Sequence, residues 1–291
     1  MPDLQKWDAH GHAPTVVLYH ADCADGFGAA WALWKRFPEA RFIPVKHGDP
    51  PPPGLDREHV VIVDFSYPRE IIERLAKQSA SLTILDHHVT AQATLSDLPY
   101  AVFDLEKSGA TLAWEWAHGT PVPWLIQYIE DKDLWRWRLP ASREINAALA
   151  SYPNDFQVWD NLKREILEVE GRAILRYENM LVDKIVEEAI WVEFEGERVP
   201  SVYSPILTSQ IGERFAQMSA FGVIWHQRDK RRYFSLRSRA NGISVAAIAA
   251  KYGGGGHTHA AGFSVQLTSQ QCAILDPFHD LRLSSLSRST S

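Results

Sequence analysis

"TVVLYHADCADGFGAAWALW", residues 15–34, decides how the chain is built. Its first part, Thr15 to His20, is a short β-branched run of the kind that forms a buried strand. From Gly26 onward the sequence reads as a helix. Between the two stand His20, Asp22, Cys23 and Asp25. Asp and Gly favour turns through local hydrogen bonding and backbone freedom, so ordinary turn chemistry is one reading of the cluster. A metal-binding loop at a strand end is the other.

The pattern recurs downstream. "RFIPV" reads as a second strand, "HVVIVDFS" as a third, "SLTILDHH" as a fourth and "YAVFD" as a fifth. "GDPPPPG" can only be a loop, because four consecutive prolines fit neither a helix nor a central strand. "YPREIIERLAKQSA" is a helix with proline at its first turn, and "SGATLAWEWAHG" is another. Strands alternating with helices predict an α/β fold with a mainly parallel, Rossmann-like sheet and helices on both faces. In such open sheets ligands bind beyond the carboxyl ends of the strands. His20, Asp64, Asp86, His87 and His88 all fall at strand ends. Turn chemistry does not require histidines there, so the metal-loop reading gains ground.

The 291 residues suffice for two domains of ordinary size. The expected boundaries are a flexible N-terminus at 1–14, a metal-binding catalytic domain at 15–150, a helical connector at 151–190, a smaller α/β domain at 191–280 and a flexible tail at 281–291. A net charge of −6 argues against a generic basic surface for duplex DNA. Two cysteines, Cys23 and Cys272, form neither a disulfide framework nor a zinc pattern, so a reducing cytoplasm is expected. The N-terminal stretch lacks a signal-peptide pattern. No apolar run is long enough for a membrane span.

Carboxylates and imidazoles at three strand ends make a mixed donor shell. Hard divalent ions favour the former and transition metals the latter, and manganese suits both. Two ions sharing one carboxylate would relieve the repulsion between buried acids and serve phosphate-ester hydrolysis. "YIEDKDLWRW" offers Glu130, Asp131 and Asp133 as further acids, with a solvated charge run as the plainer reading. In the C-terminal part, "GGGGHTHAAG" reads as a loop, since glycine is entropically costly in helix or strand. Such a loop lets backbone N–H groups approach an anion. His257 and His259 follow it, and "SLRSRANG" supplies Arg237 and Arg239 upstream. Most of the eleven tryptophans are expected in the core.

Together these motifs resemble the DHH phosphoesterase family with its associated C-terminal domain. "HADCADG", "VIVDFS", "LDHH" and "IEDKDLW" stand in the order of the family's four motifs, and "GGGGHTHAAGF" resembles the glycine-histidine signature of the C-terminal domain. The resemblance runs from about His20 to Phe263, most of the chain. It implies two divalent ions, manganese first, with magnesium or cobalt as the other candidates. It implies His20, Asp25, His87 and an acid of the fourth motif as ligands, with Asp64 bridging. His88 would face the substrate phosphate, and Asp86 would orient the histidines. Matching Trp135 to the family's aromatic selects Asp131 over Asp133. Ser108 and Gly109 match a short family turn.

One position departs from the pattern. Phe27 stands where many members carry a second acid, and Asp22 is expected to supply the missing carboxylate. Arg237, Ser238, Gly254, Gly255, Gly256, His257 and His259 are expected to bind substrate. The expected activity is hydrolysis of short single-stranded oligonucleotides, including linear dinucleotides, to nucleoside monophosphates. A phosphatase of 3′-phosphorylated nucleotides or a cyclic-dinucleotide phosphodiesterase is the alternative. A non-catalytic nucleotide-binding module is the alternative of another class. Neither duplex DNA nor membrane is an expected partner, and a homodimer is left open.

Overall fold

The computed structural model describes residues 12–46, 48–119 and 121–268. The expected tail at 281–291, and all of the expected N-terminal segment 1–14 except 12–14, lie outside the described residues. The chain divides into two compact units between Arg176 and Tyr177.

The first unit is built on five parallel strands: β1 (Val16–His20), β2 (Arg41–Val45), β3 (His59–Val63), β4 (Ser81–Asp86) and β5 (Ala101–Phe103). Their order across the sheet is β2-β1-β3-β4-β5. The strand order therefore reverses between β1 and β3, and at such a reversal the connections diverge to leave a crevice beyond the strand ends. Side chains alternate between two cores. Val17, Val61, Val63 and Leu85 pack with α1 (Ala24–Arg36), α4 (Gly109–His118) and α5 (Trp124–Asp133). Leu18, Val60, Ile62 and Ile84 pack on the other face with α2 (Arg69–Gln78) and α3 (Val89–Leu95). Strands buried on both faces explain the unbroken apolar runs in the sequence.

Three further helices complete this unit: α6 (Ser142–Leu149), α7 (Phe156–Asp160) and the first half of α8 (Arg164–Glu187). The helical connector expected at 151–190 is thus interrupted at 161–163. Gly171 lies inside α8, where a Cβ would sit 1.8 Å from the Glu144 carbonyl oxygen. That glycine lets α8 approach α6; it does not break the helix.

The second unit holds a six-stranded sheet in the order β10-β11-β9-β8-β7-β6. Its strands are β6 (Ile190–Phe194), β7 (Glu197–Tyr203), β8 (Phe221–Arg228), β9 (Arg231–Ser238), β10 (Gly255–His257) and β11 (Ala260–Gln266), with helices α9 (Thr208–Met218) and α10 (Val245–Lys251). All pairings are antiparallel except β7 with β8. The glycine tract is not the open loop its composition predicts. Gly255 to His257 pair with Ala260 to Gly262 in a tight hairpin. Glycine is needed for close backbone approach: a Cβ on Gly254 would lie 2.1 Å from the Gly262 carbonyl oxygen, and Gly256 has φ 137°.

Among the described residues, no helix is long and apolar enough to cross a membrane.

Candidate metal centre

His20 ends β1, Asp64 follows β3, Asp86 ends β4 and His87 and His88 follow it, so the sheet itself brings these residues to one edge. The turn after β1 is tight. A Cβ on Gly26 would come within 2.2 Å of the His20 carbonyl oxygen. Glycine there lets α1 start directly beneath the strand end and places Asp25 in its first turn. The Asp25 carboxylate is then held by the start of α4: Gly109 N–H donates to Oδ2 at 2.6 Å and Ala110 N–H to Oδ1 at 3.0 Å. A helix N-terminus favours negative charge in this position. Ser108 caps the same helix by accepting from the Thr111 N–H. Gly109 leaves room for the cluster, since a Cβ would lie 2.6 Å from the Asp64 Cβ and 3.0 Å from Asp25 Oδ2.

Asp64 adopts a left-handed backbone, φ 61°, which costs a non-glycine residue roughly 1–2 kcal/mol. The conformation turns its carboxylate into the cluster. Oδ1 lies 3.0 Å from His87 Nε2 and Oδ2 lies 3.5 Å from His20 Nδ1. Three carboxylates converge on the one nitrogen of His87: Asp64 at 3.0 Å, Asp25 at 3.4 Å and Asp133 at 3.6 Å. One N–H cannot satisfy three acceptors. Asp64 Oδ2 and Asp133 Oδ2 are buried and accept no hydrogen bond among the described residues.

The titration behaviour reflects this crowding. Burial pushes the Asp25 carboxyl well above the usual range, and the Asp64 and Asp133 charges add to it. Burial also raises Asp133, with Asp64 contributing. For Asp64 burial acts upward too, but the hydrogen bond from His87 and the adjacent His20 imidazole outweigh it and hold the carboxyl well below the ordinary value. Burial opposes charge on His87, yet its bond to Asp64 and the charges of Asp133 and Asp25 push it up to about 11. Without a metal, the imidazolium serves as the cation these acids need.

Asp86 has a different role. It is buried, and it accepts from Ser66 Oγ (2.6 Å), the backbone N–H groups of His87 (2.7 Å) and His88 (3.2 Å), and His88 Nδ1 (2.7 Å). Three of these bonds converge on Oδ1 and tie Asp86 to both histidines, as a group that orients ligands would be tied.

Two expected ligands are displaced. Asp131 is buried, but its carboxylate accepts from the Arg138 and Leu139 N–H groups at 2.9 and 3.1 Å. Its backbone carbonyl accepts from the Arg136 and Trp137 N–H groups. It anchors the loop after α5, and Asp133 is the acid beside His87. Asp22 is also misassigned. Its carboxylate is largely exposed and pairs with Lys46 Nζ at 2.6 Å. Phe27 faces the core, stacked on Phe156 and edge-on to Trp159.

The structure instead brings Cys23 to the cluster, a turn residue to which neither the motif pattern nor the resemblance gives a role. Donor atoms of His20, Cys23 and Asp64 lie within 4.8 Å of one another, and so do those of Asp25, Asp64 and His87. The two sets share Asp64. Orphaned carboxylate oxygens, mixed O and N donors and a shared acid fit a pair of divalent ions.

In the second unit, Arg237 on β9 donates from Nη2 to Ser209 Oγ at 3.1 Å. It pairs across the sheet with Ala260, which pairs with His257. Ser238 donates to the Ile243 carbonyl (2.8 Å) and contacts His259 Nδ1 (3.0 Å). Its hydroxyl thereby holds His259.

No family model matches the chain. Uncharacterized protein R106 of Acanthamoeba polyphaga mimivirus is 30% identical over 282 residues, covering 86% of this chain and 67% of the relative. Among solved structures, RecJ of Thermus thermophilus in complex with Mn2+ matches with a TM-score of 0.53 at 14% identity, over 96% of this chain and 53% of RecJ. Exonuclease RecJ bound to manganese matches with a TM-score of 0.51 at 16% identity, over 95% of this chain and 90% of that one. At such identities the likeness is one of fold: this is a RecJ-like, DHH-type fold.

Proposed function

The chain belongs to the family of mimivirus protein R106, and we propose that it is a divalent-metal-dependent phosphodiesterase. The observation that carries this reading is Asp64, shared by two donor sets at the strand-order reversal of a parallel sheet. The RecJ structures of the same fold hold manganese, which supports manganese as the first ion to test.

Bound at these positions, two ions supply an activated water and offset charge on the phosphate oxygens. The protein's own part is placement. Asp64 lies in both donor sets. Asp25 is held at a fixed angle by the two N–H groups of α4. Asp133 completes the acid set beside His87. Burial works against charge on His88, but Asp86 raises its pKa. With Nδ1 bound to Asp86, Nε2 is the atom by which His88 would donate to a substrate phosphate.

On this reading the second unit binds the nucleotide. Arg237, His257, His259 and the hairpin glycines 254–256 are assigned to its phosphate and base, with Ser238 fixing His259. The substrates are short single-stranded oligonucleotides, down to linear dinucleotides, and the products are nucleoside monophosphates. A net charge of −6 fits a small substrate held by metals and a few cations better than a long polyanion.

A manganese-supplemented screen of RNA and DNA from two to about ten nucleotides tests this, with cyclic dinucleotides and 3′-phosphorylated nucleotides alongside. Release of monophosphates from the shortest linear chains is the expected result. Exclusive turnover of a cyclic dinucleotide or a 3′-phosphate would replace the substrate assignment. Metal uptake without turnover of any substrate would favour a binding module.

A further inference from the structure

The two donor sets are chemically unequal. Asp25, Asp64 and His87, with Asp133 beside them, offer mainly carboxylate oxygen. His20, Cys23 and Asp64 offer one nitrogen, one sulfur and one oxygen. We infer that Cys23 is a ligand of the second metal position, and that this position takes a softer ion, of the cobalt or zinc type, than the carboxylate-rich one. The inference rests on the two-metal reading above.

Four observations converge on Cys23. It is the N-cap residue of α1, yet its side chain makes no capping hydrogen bond. Asp64 Oδ2 is buried, accepts no hydrogen bond among the described residues and belongs to the residue that completes this donor set. The acid expected nearby is absent, because Asp22 is paired with Lys46 and Phe27 lies in the aromatic core. His20 keeps 30% of its side chain accessible, so an ion can enter from solvent.

Thiolate sulfur is a soft donor and raises preference for zinc and cobalt over manganese and magnesium. On coordination the S–H bond breaks heterolytically, the sulfur lone pair forms the bond to the ion, and the proton leaves to solvent. No oxidation state changes.

Cobalt(II) absorption tests this without reference to activity. Metal-stripped full-length protein carrying Cys272→Ser, in which Cys23 is the sole thiol, is titrated with cobalt(II) under reducing conditions. The expected spectrum combines visible ligand-field bands with a near-ultraviolet thiolate-to-cobalt charge-transfer band. In the Cys23→Ser, Cys272→Ser protein the near-ultraviolet band is lost and the ligand-field bands persist. Ligand-field bands without the charge-transfer band in the Cys272→Ser protein overturn the Cys23 assignment and leave the two-metal reading standing. No cobalt uptake overturns both. The parent spectrum alone is decisive, so a poorly folding double variant does not blunt the test.

Discussion

His87 Nε2 lies 3.0 Å from Asp64 Oδ1, with Asp25 and Asp133 oxygens at 3.4 and 3.6 Å from the same nitrogen. The imidazole therefore occupies the centre of an acidic cluster and holds it together when no metal is bound. A proton on His87 and a metal ion compete for one place.

That competition sets the pH dependence of metal binding. Without metal, His87 titrates near 11 and so carries a proton at neutral pH, while burial and the neighbouring acids shift the Asp25 carboxyl in the same direction. Ligation needs them deprotonated. Affinity should therefore rise with pH across the neutral range and fall in acid. Calorimetry at pH 7 in two buffers of different ionisation enthalpy should show on the order of one proton released per ion. Zero release would contradict the ligand assignment of His87.

Asp133→Asn should weaken manganese binding by about 10–100-fold with little change in Tm. Asp131→Asn should do the opposite. It removes a buried carboxylate that accepts two backbone N–H groups, at a cost of about 1–3 kcal/mol. Thermal melts and manganese titrations of the two variants separate the roles. Equal metal loss with unchanged stability in Asp131→Asn would restore it as the ligand.

Gly109→Ala drives a methyl to 2.6 Å from the Asp64 Cβ. Overpacking of this kind costs about 1–3 kcal/mol, and here it also shifts the shared carboxylate. Reduced Tm together with weaker metal binding is expected. Wild-type metal affinity in this variant would show that Asp64 need not stay where it is.

Much of the site was legible because short β-branched runs announce strands, and polar residues just past them must gather at one sheet edge. That logic reached His20, Asp64, Asp86, His87 and His88, whereas Asp25, inside the first turn of α1, came from the family resemblance alone. It could not separate Asp131 from Asp133, since residues two apart on a helix point in different directions and spacing does not say which way α5 is turned. Nor could it foresee Cys23, because the direction of each side chain in the turn follows from the left-handed backbone at Asp22, φ 57°. The glycine tract misled by composition: its residues are costly in an isolated strand, but in β10 they allow a backbone contact that no larger residue would permit.

On the proposed function, Asp64 is the carboxylate shared by two ions in a phosphodiesterase. Asparagine tolerates the left-handed backbone at this position, so Asp64→Asn removes the charge and keeps the fold. Metal-stripped wild-type and Asp64→Asn proteins should be assayed on a linear dinucleotide with and without restored manganese. Monophosphates should appear only in the wild type with manganese, with a loss of at least about a hundredfold in the variant. Turnover without divalent metal, or wild-type turnover by a folded Asp64→Asn protein, would contradict the account.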